Sequence, residues 1–499
     1  MSVDFDVIVV GSGAGGGTCA YACSRAGKKV LLIERGSRFI VIDQQHDERR
    51  MLMAKEPYDD RSLQLNGIEK RPYVSGVLGG GTALYGAALM RPSRSDFEPG
   101  RLYGARLPRE IWDWPVSYDE LAPFYRDAES LYGVSCNQHD DFSPLEKTEP
   151  VQPIDESPMK AVNRRLMAAN SARGLKPFRL PLAIDAKRCL QCACCPGFIC
   201  PTGARRSSTD LTELAAQNGW PLQVLTGMEV ESLARRSDGQ FDGIVVRDRV
   251  SGIRDVYRAK RYVVAAGAVH SPVILMRSGV RHPQVGRNFM YHLAPIVAGV
   301  FAEPTGADAT FVKQVGFADF YLGSRQFPHK VGIIQSLPVP GPLMLEKAAP
   351  RVVPRRLLGF LRKRLLPLLG IVEDLPQPDN RVTLTDDGRA QLNHAFSAYD
   401  LERGQWLSKK MKGLLRAAGA LFCLSTSRPS DEHIAHQCGT LRFGRSVKYA
   451  PVDSVGRLFG HENVFVVDAS VFPTSLGVGP ALTIMANALR TARTIVGEL

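Results

Sequence analysis

Two glycine-rich turns and one knot of cysteines are the stretches whose residue types and spacing point to chemistry. Gly11, Ser12, Gly13, Ala14, Gly15 and Gly16 contain the pattern G-x-G-x-x-G immediately after the apolar run 7–10. Gly11 permits a tight turn, and Gly13 lets the backbone approach a pyrophosphate. Gly16 lets a helix pack close to a sheet with its N-terminal amides facing the phosphates. A second apolar run, residues 30–33, ends at Glu34 and Arg35, where an acid binds a ribose hydroxyl pair. Strand, glycines, helix, strand and acid, in order within one βαβ length, predict dinucleotide binding. Further on, Gly79, Gly80 and Gly81 followed by Thr82 predict a loop whose backbone lies flat against a ligand.

Cys189, Cys192, Cys194, Cys195 and Cys200 crowd into one short segment. C-x-x-C spacing suits zinc or iron–sulfur ligation, because two thiolates then reach one metal from a single turn. Cys189, Cys192, Cys195 and Cys200 are the candidate ligands. A full zinc site calls for two such pairs and the spacing here is irregular. The alternative is a compact loop that packs its thiols as small apolar groups.

The chain that positions these groups has 499 residues, too many for one small core, so two interpenetrating domains are expected. Its 44% hydrophobic and 23% charged content is that of an ordinary globular protein. No apolar run is long enough for a spanning helix. The N-terminus opens directly on a strand instead of an export pattern, which makes cytoplasmic residence and reduced cysteines the expectation. A net charge of +13 without clustered aromatics or a nucleic-acid motif gives no support to nucleic-acid binding. Part of that charge lies in residues 350–370, where leucines alternate with Arg351, Arg355, Arg356, Arg362, Lys363 and Arg364. A basic amphipathic helix is expected there, lying on an anionic membrane or a partner protein, or packed by its apolar face on its own domain as an access-channel or dimer-contact helix. Ser117 and Glu120 predict a capping box. Residues 223–230 are predicted as one strand.

The first glycine turn, the segment LGGGTALYGAALMRPSRSDF, the stretch GAVHSPVILMRSG ending at Gly279, and the C-terminal HQCGTLRFG and GPALTIMANA together resemble the glucose–methanol–choline (GMC) flavin oxidoreductases. The resemblance implies an α/β protein, a Rossmann-type FAD-binding domain with a substrate domain of antiparallel sheet and helices. Residues 1–100 and 223–292 then form the FAD side, and 101–222 a helical and cysteine-rich segment towards the substrate. Residues 293–430 form the substrate domain, and 431–499 the catalytic and FAD-binding C-terminal part. Leu84 and its neighbours offer none of the histidines that bond covalently to flavin in some relatives, so the implied FAD is non-covalent. The resemblance sets Tyr85 and Gly86 beside the flavin, and Val230 at the adenine. It sets Ala266 and Gly267 in a turn near the cofactor, and Asp468 and Ala469 near its ribityl–pyrophosphate portion. Gly479, Pro480 and Ala481 come at the pyrimidine end. In some membrane-linked sugar dehydrogenases of the family, cysteines of the 189–200 region hold an iron–sulfur cluster.

His436 stands at the position of the family's catalytic histidine. A neutral imidazole there takes a hydroxyl proton while hydride leaves the adjacent carbon for flavin N5. His433 is expected without direct contact, and His292, in VGRNFMYH, as a structural residue. Gly479 departs from the family, most of whose members carry Asn or His before this proline. Either another residue or a water then holds the substrate oxygen, or the chemistry differs. The implied function is oxidation of a hydroxyl group on a sugar-like, glycoside or aminoglycoside-type substrate, with oxygen as acceptor. One alternative is a dehydrogenase that passes electrons to a quinone, cytochrome or iron–sulfur acceptor. The other is a flavin-binding protein that has lost alcohol oxidation.

Overall fold

The strand β1 (Phe5–Val10) is buried on both faces, as its run of β-branched residues requires at the centre of a parallel sheet. The computed structural model describes residues 4–39, 47–149, 159–426 and 432–499. In it β1 pairs in parallel with β2 (Val30–Glu34) on one side and with Ala259–Val264 on the other. Leu222–Thr226 and Val464–Val466 complete this five-stranded parallel sheet at its two edges. The helix α1 (Ala14–Arg25) crosses from β1 to β2. Its first turn lies very close to the sheet. A methyl group on Gly15 would strike the Val467 carbonyl, and one on Gly16 would strike the Gly11 carbonyl. Close packing therefore needs both glycines, not Gly16 alone.

A six-stranded antiparallel sheet forms the second layer, in the order Phe422–Ser425, Ile296–Val300, Leu365–Val372, Gly332–Ser336, Val315–Phe317 and Phe178–Arg179. The long helix Ala398–Ala417 covers it, burying Leu407, Met411, Leu414 and Leu415. Two smaller sheets flank this frame. The Ser117–Glu120 capping box forms as expected: Ser117 Oγ accepts from Glu120 N at 3.2 Å, and the Glu120 carboxylate accepts from Ser117 N at 2.8 Å. No helix among the described residues is long and apolar enough to cross a membrane.

Two expectations about elements need correction. The predicted strand 223–230 breaks at Gly227, which takes φ of 73°. Leu222–Thr226 stays in the parallel sheet, whereas Met228–Arg235 turns into a three-stranded antiparallel sheet. The basic helix expected over 350–370 is only Arg355–Arg362. From Leu365 onward the leucines form a strand buried in the antiparallel sheet. A leucine-rich run between prolines carries no periodicity that separates a buried strand from a helix, and here the sheet claims it.

Candidate functional site

A cavity of about 780 Å³ runs between the two sheets. Residues 11–15 of the first turn line it, with Glu34, Arg35, Val230, Ala266 and Gly267. The second glycine turn adds Gly80, Gly81, Thr82, Tyr85 and Gly86, and the C-terminal segment adds His436, Asp468, Ala469, Gly479, Pro480 and Ala481. Of the cofactor-binding residues expected from sequence, only Gly16 and Gly79 stand behind the wall. The two glycine turns touch: a Cβ on Gly80 would lie 2.7 Å from Gly13 Cα. Ser12 joins them to the acid. Its hydroxyl accepts from Gly79 N at 2.9 Å and donates to Glu34 at 2.6 Å. Asp468 accepts from Gly267 N at 2.8 Å and from Ser271 Oγ at 2.5 Å, tying the 267 turn to the C-terminal segment. Burial raises the pKa of both Glu34 and Asp468.

His436 does not stand alone. Its Nδ1 lies 3.1 Å from Nδ1 of His292, and His292 Nε2 lies 2.9 Å from the Leu476 carbonyl. A carbonyl only accepts, so His292 carries its proton on Nε2 and offers a lone pair at Nδ1. His436 must then donate from Nδ1, which leaves its Nε2 unprotonated. The Cε1–Nε2 edge faces Gly479, where a Cβ would lie 3.9 Å from both atoms. Burial, with the nearby His292 and Lys313, lowers the His436 pKa to about 3, so the ring is neutral across the working range. The expectation that His292 is merely structural is thus too weak. It sets the tautomer of its neighbour from a left-handed backbone (φ 65°), as does Leu476 (φ 67°). We predict that His292→Asn, which tolerates that backbone but is too short to reach, lowers kcat by about a hundredfold. Flavin content and KM should change little, which steady-state kinetics on the purified variant will check.

Behind this pair, Asp374 accepts from the Tyr291 and His292 amides at 3.0 and 3.1 Å and from Ser475 Oγ at 2.7 Å. Neighbouring Glu373 accepts from Leu476 N and is ion-paired with Lys330, which also pairs with Asp96. All three members of this charge cluster are fully buried.

The cysteine loop has no regular secondary structure and contributes Ala193, Cys194, Pro196, Gly197 and Phe198 to the cavity wall. Among the described residues none of these five cysteines forms a disulfide; Cys195 is buried and the other four are half-buried. Among the described residues, no group of three or more His, Cys, Asp or Glu is arranged to hold a metal ion. What organises the loop is Arg205, whose buried guanidinium donates to the carbonyls of Cys195, Phe198, Ala83 and Tyr85. It thereby fastens the cysteine loop to the second glycine turn. Removing it orphans buried acceptors at about 1–3 kcal/mol each. Arg205→Met should therefore lower the melting temperature and speed thiol labelling of Cys195, measured with an iodoacetamide probe.

His433 stacks on Tyr73 (ring centroids 4.3 Å apart) and lines the cavity. Sequence reasoning missed Lys313 and Gln335, both buried and both on the cavity wall.

Family models described as GMC oxidoreductase match residues 5–294 and 376–488. The chain is 30% identical to 6'''-hydroxyparomomycin C oxidase of Streptomyces lividus and to paromamine 6'-oxidase of Streptomyces fradiae, in each case over 99% of this chain and 92% of the relative. It is 24% identical to the fructose dehydrogenase large subunit of Gluconobacter japonicus over 99% of this chain and 98% of that one. Among solved structures, pyridoxine 4-oxidase from Mesorbium loti superposes with a TM-score of 0.70 at 21% identity, covering 98% of this chain and 99% of that one. Formate oxidase from Aspergillus oryzae gives 0.68 at 16%, covering 100% and 99%. With both family regions matched across most of its length, the chain belongs to the GMC oxidoreductase family.

Proposed function

We propose that this oxidoreductase oxidises a hydroxyl-bearing carbon of a sugar-like substrate, with non-covalently held FAD and with His436 as the base. The observation that carries this reading is the His292–His436 pair, which presents an unprotonated Nε2 into the cavity shared by the two glycine turns. The residues present fit FAD. The amides opening α1 have no side-chain cap, since the N-cap is Gly13, and the cradle between Gly13 and Gly80 is one a single Cβ would fill. Bound FAD supplies a hydride acceptor. His436 Nε2 takes the hydroxyl proton, and His292, fixed by Leu476, keeps that nitrogen free. The apolar wall of Leu337, Leu369 and Ile371 excludes water.

The relatives named as oxidases of paromamine and hydroxyparomomycin C support a sugar-ring or aminoglycoside-like alcohol as substrate, with oxygen as acceptor. The fructose dehydrogenase relative and the cysteine loop in the cavity wall support a second reading, in which another redox acceptor replaces oxygen. Anaerobic mixing with a panel of sugars, glycosides and aminoglycosides should bleach the visible flavin band with at least one of them. No bleaching by any alcohol would leave the flavin-binding alternative. Hydrogen peroxide yield against dye reduction with the same substrate separates the two acceptors, and acid release of the flavin tests non-covalent binding.

A further inference from the structure

Among the described residues two lysines are buried, in very different settings. Lys330 is clamped between Asp96 and Glu373. Lys313 is only 8% exposed, yet its ammonium has no hydrogen-bond or ion-pair partner among the described residues. An ammonium withdrawn from water without a counter-charge is costly, and it persists where a ligand completes it. Its position narrows the choice of ligand. The Lys313 side chain lies over the second glycine turn, where a Cβ on Gly86 would sit 2.5 Å from Nζ. It lines the same cavity as His436 and acts on that ring electrostatically. Gly479, beside the Cε1–Nε2 edge of His436, has no side chain with which to reach a substrate oxygen.

We propose that Lys313 supplies the contact Gly479 cannot make: its ammonium donates to the oxygen of the alcohol undergoing oxidation. This rests on the alcohol-oxidising reading above. As the O–H bond breaks, its proton goes to His436 Nε2, and the carbon–hydrogen bond gives up its electron pair as hydride to the bound flavin. The carbon–oxygen bond becomes a carbonyl, and Lys313 holds the negative charge that passes through that oxygen. Lys313 is then a catalytic residue placed on the substrate-domain wall instead of the C-terminal segment. An ammonium in this place also keeps His436 unprotonated, since two cations so near each other are unfavourable. The titratable groups acting on Lys313 are Cys195 of the cysteine loop and His436. Burial lowers its pKa to about 8, so the charge it needs is present below that pH and lost above it.

The test uses the flavin-loaded full chain. Wild-type bleaching by an alcohol first establishes the underlying reading. Lys313→Met should then slow anaerobic flavin reduction by about 10²–10³-fold, the cost of removing one oxyanion donor. Adding Gly479→Asn to that variant, which the 3.9 Å clearance to His436 accommodates, should restore part of the rate. Acetate, read through its perturbation of the flavin absorbance without turnover, should bind about tenfold more weakly to Lys313→Met. The wild-type rate should fall above about pH 8, a limb absent in the variant. Wild-type-like reduction and acetate binding in Lys313→Met would overturn the proposal. So would a loss confined to Gln335→Leu, since Gln335 shares the wall. If no alcohol bleaches the wild type, the alcohol reading falls while the acetate arm still decides whether Lys313 holds an anionic oxygen. If Lys313→Met loses its flavin, Lys313→Gln and the wild-type pH limb carry the same decision.

Discussion

Replacing His436 with alanine slows anaerobic flavin reduction by about 10²–10⁴-fold, the usual loss on removing a positioned general base. The expected signature is more specific than a loss of rate. The Cε1–Nε2 edge of His436 faces Gly479 on the cavity wall, and its Nδ1 is engaged with His292. Alanine removes the base without unfolding the glycine turns, so the purified variant should keep its yellow colour and its flavin content. Because burial, His292 and Lys313 all oppose protonation, the wild-type ring needs no high pH to become a base. On the acid side the rate should therefore stay flat down to the point where the fold itself fails. Stopped-flow measurement at saturating alcohol reads both effects. A His436→Ala variant that bleaches at the wild-type rate removes this imidazole from the reaction.

Lys330→Ala is expected to cost about 3–5 kcal/mol of stability, the range for breaking a buried charge network by deleting one partner. The ammonium lies between Asp96 and Glu373, both fully buried, and its loss leaves two carboxylates facing each other. Tyr321 and Tyr103 hydroxyls, each 2.5 Å from one of those carboxylates, donate hydrogen bonds but carry no charge to replace it. Burial already raises the pKa of Asp96, and Lys330 works against that rise. Without Lys330 the folded-state pKa climbs further above the unfolded one. The sign follows: protonation favours the folded variant, so its deficit is largest at neutral pH and shrinks as pH falls through the raised pKa. Thermal melts of wild type and variant at pH 5 and pH 8 test this, with a widening gap at pH 8 as the expected result. The same cluster holds Leu476 through Glu373, so the variant should also lose activity at temperatures where it remains folded.

What the sequence carried was local. The β1–α1–β2 unit, the two glycine turns, Glu34 and the Ser117 capping box are all set by residues a few positions apart, and short-range geometry admits few alternatives for them. The family patterns added His436 and the C-terminal segment. Other features escaped because they depend on contacts between residues far apart in the chain. His292 meets His436 from 144 positions away, and Arg205 reaches Tyr85 from 120. The run 365–372 reads as helix or strand alike until neighbouring strands take its backbone hydrogen bonds.

Residue order was enough for a glycine turn between two strands, a family resemblance and a candidate base. Tertiary structure alone decided the proton position on that base, the partner that enforces it, and the unpaired ammonium that shares its cavity. The reason is physical: phosphate-cradling turns are made by backbone conformation, which neighbouring residues dictate. A side chain's charge and tautomer are set by whatever the fold brings within hydrogen-bond distance and by how much water it excludes.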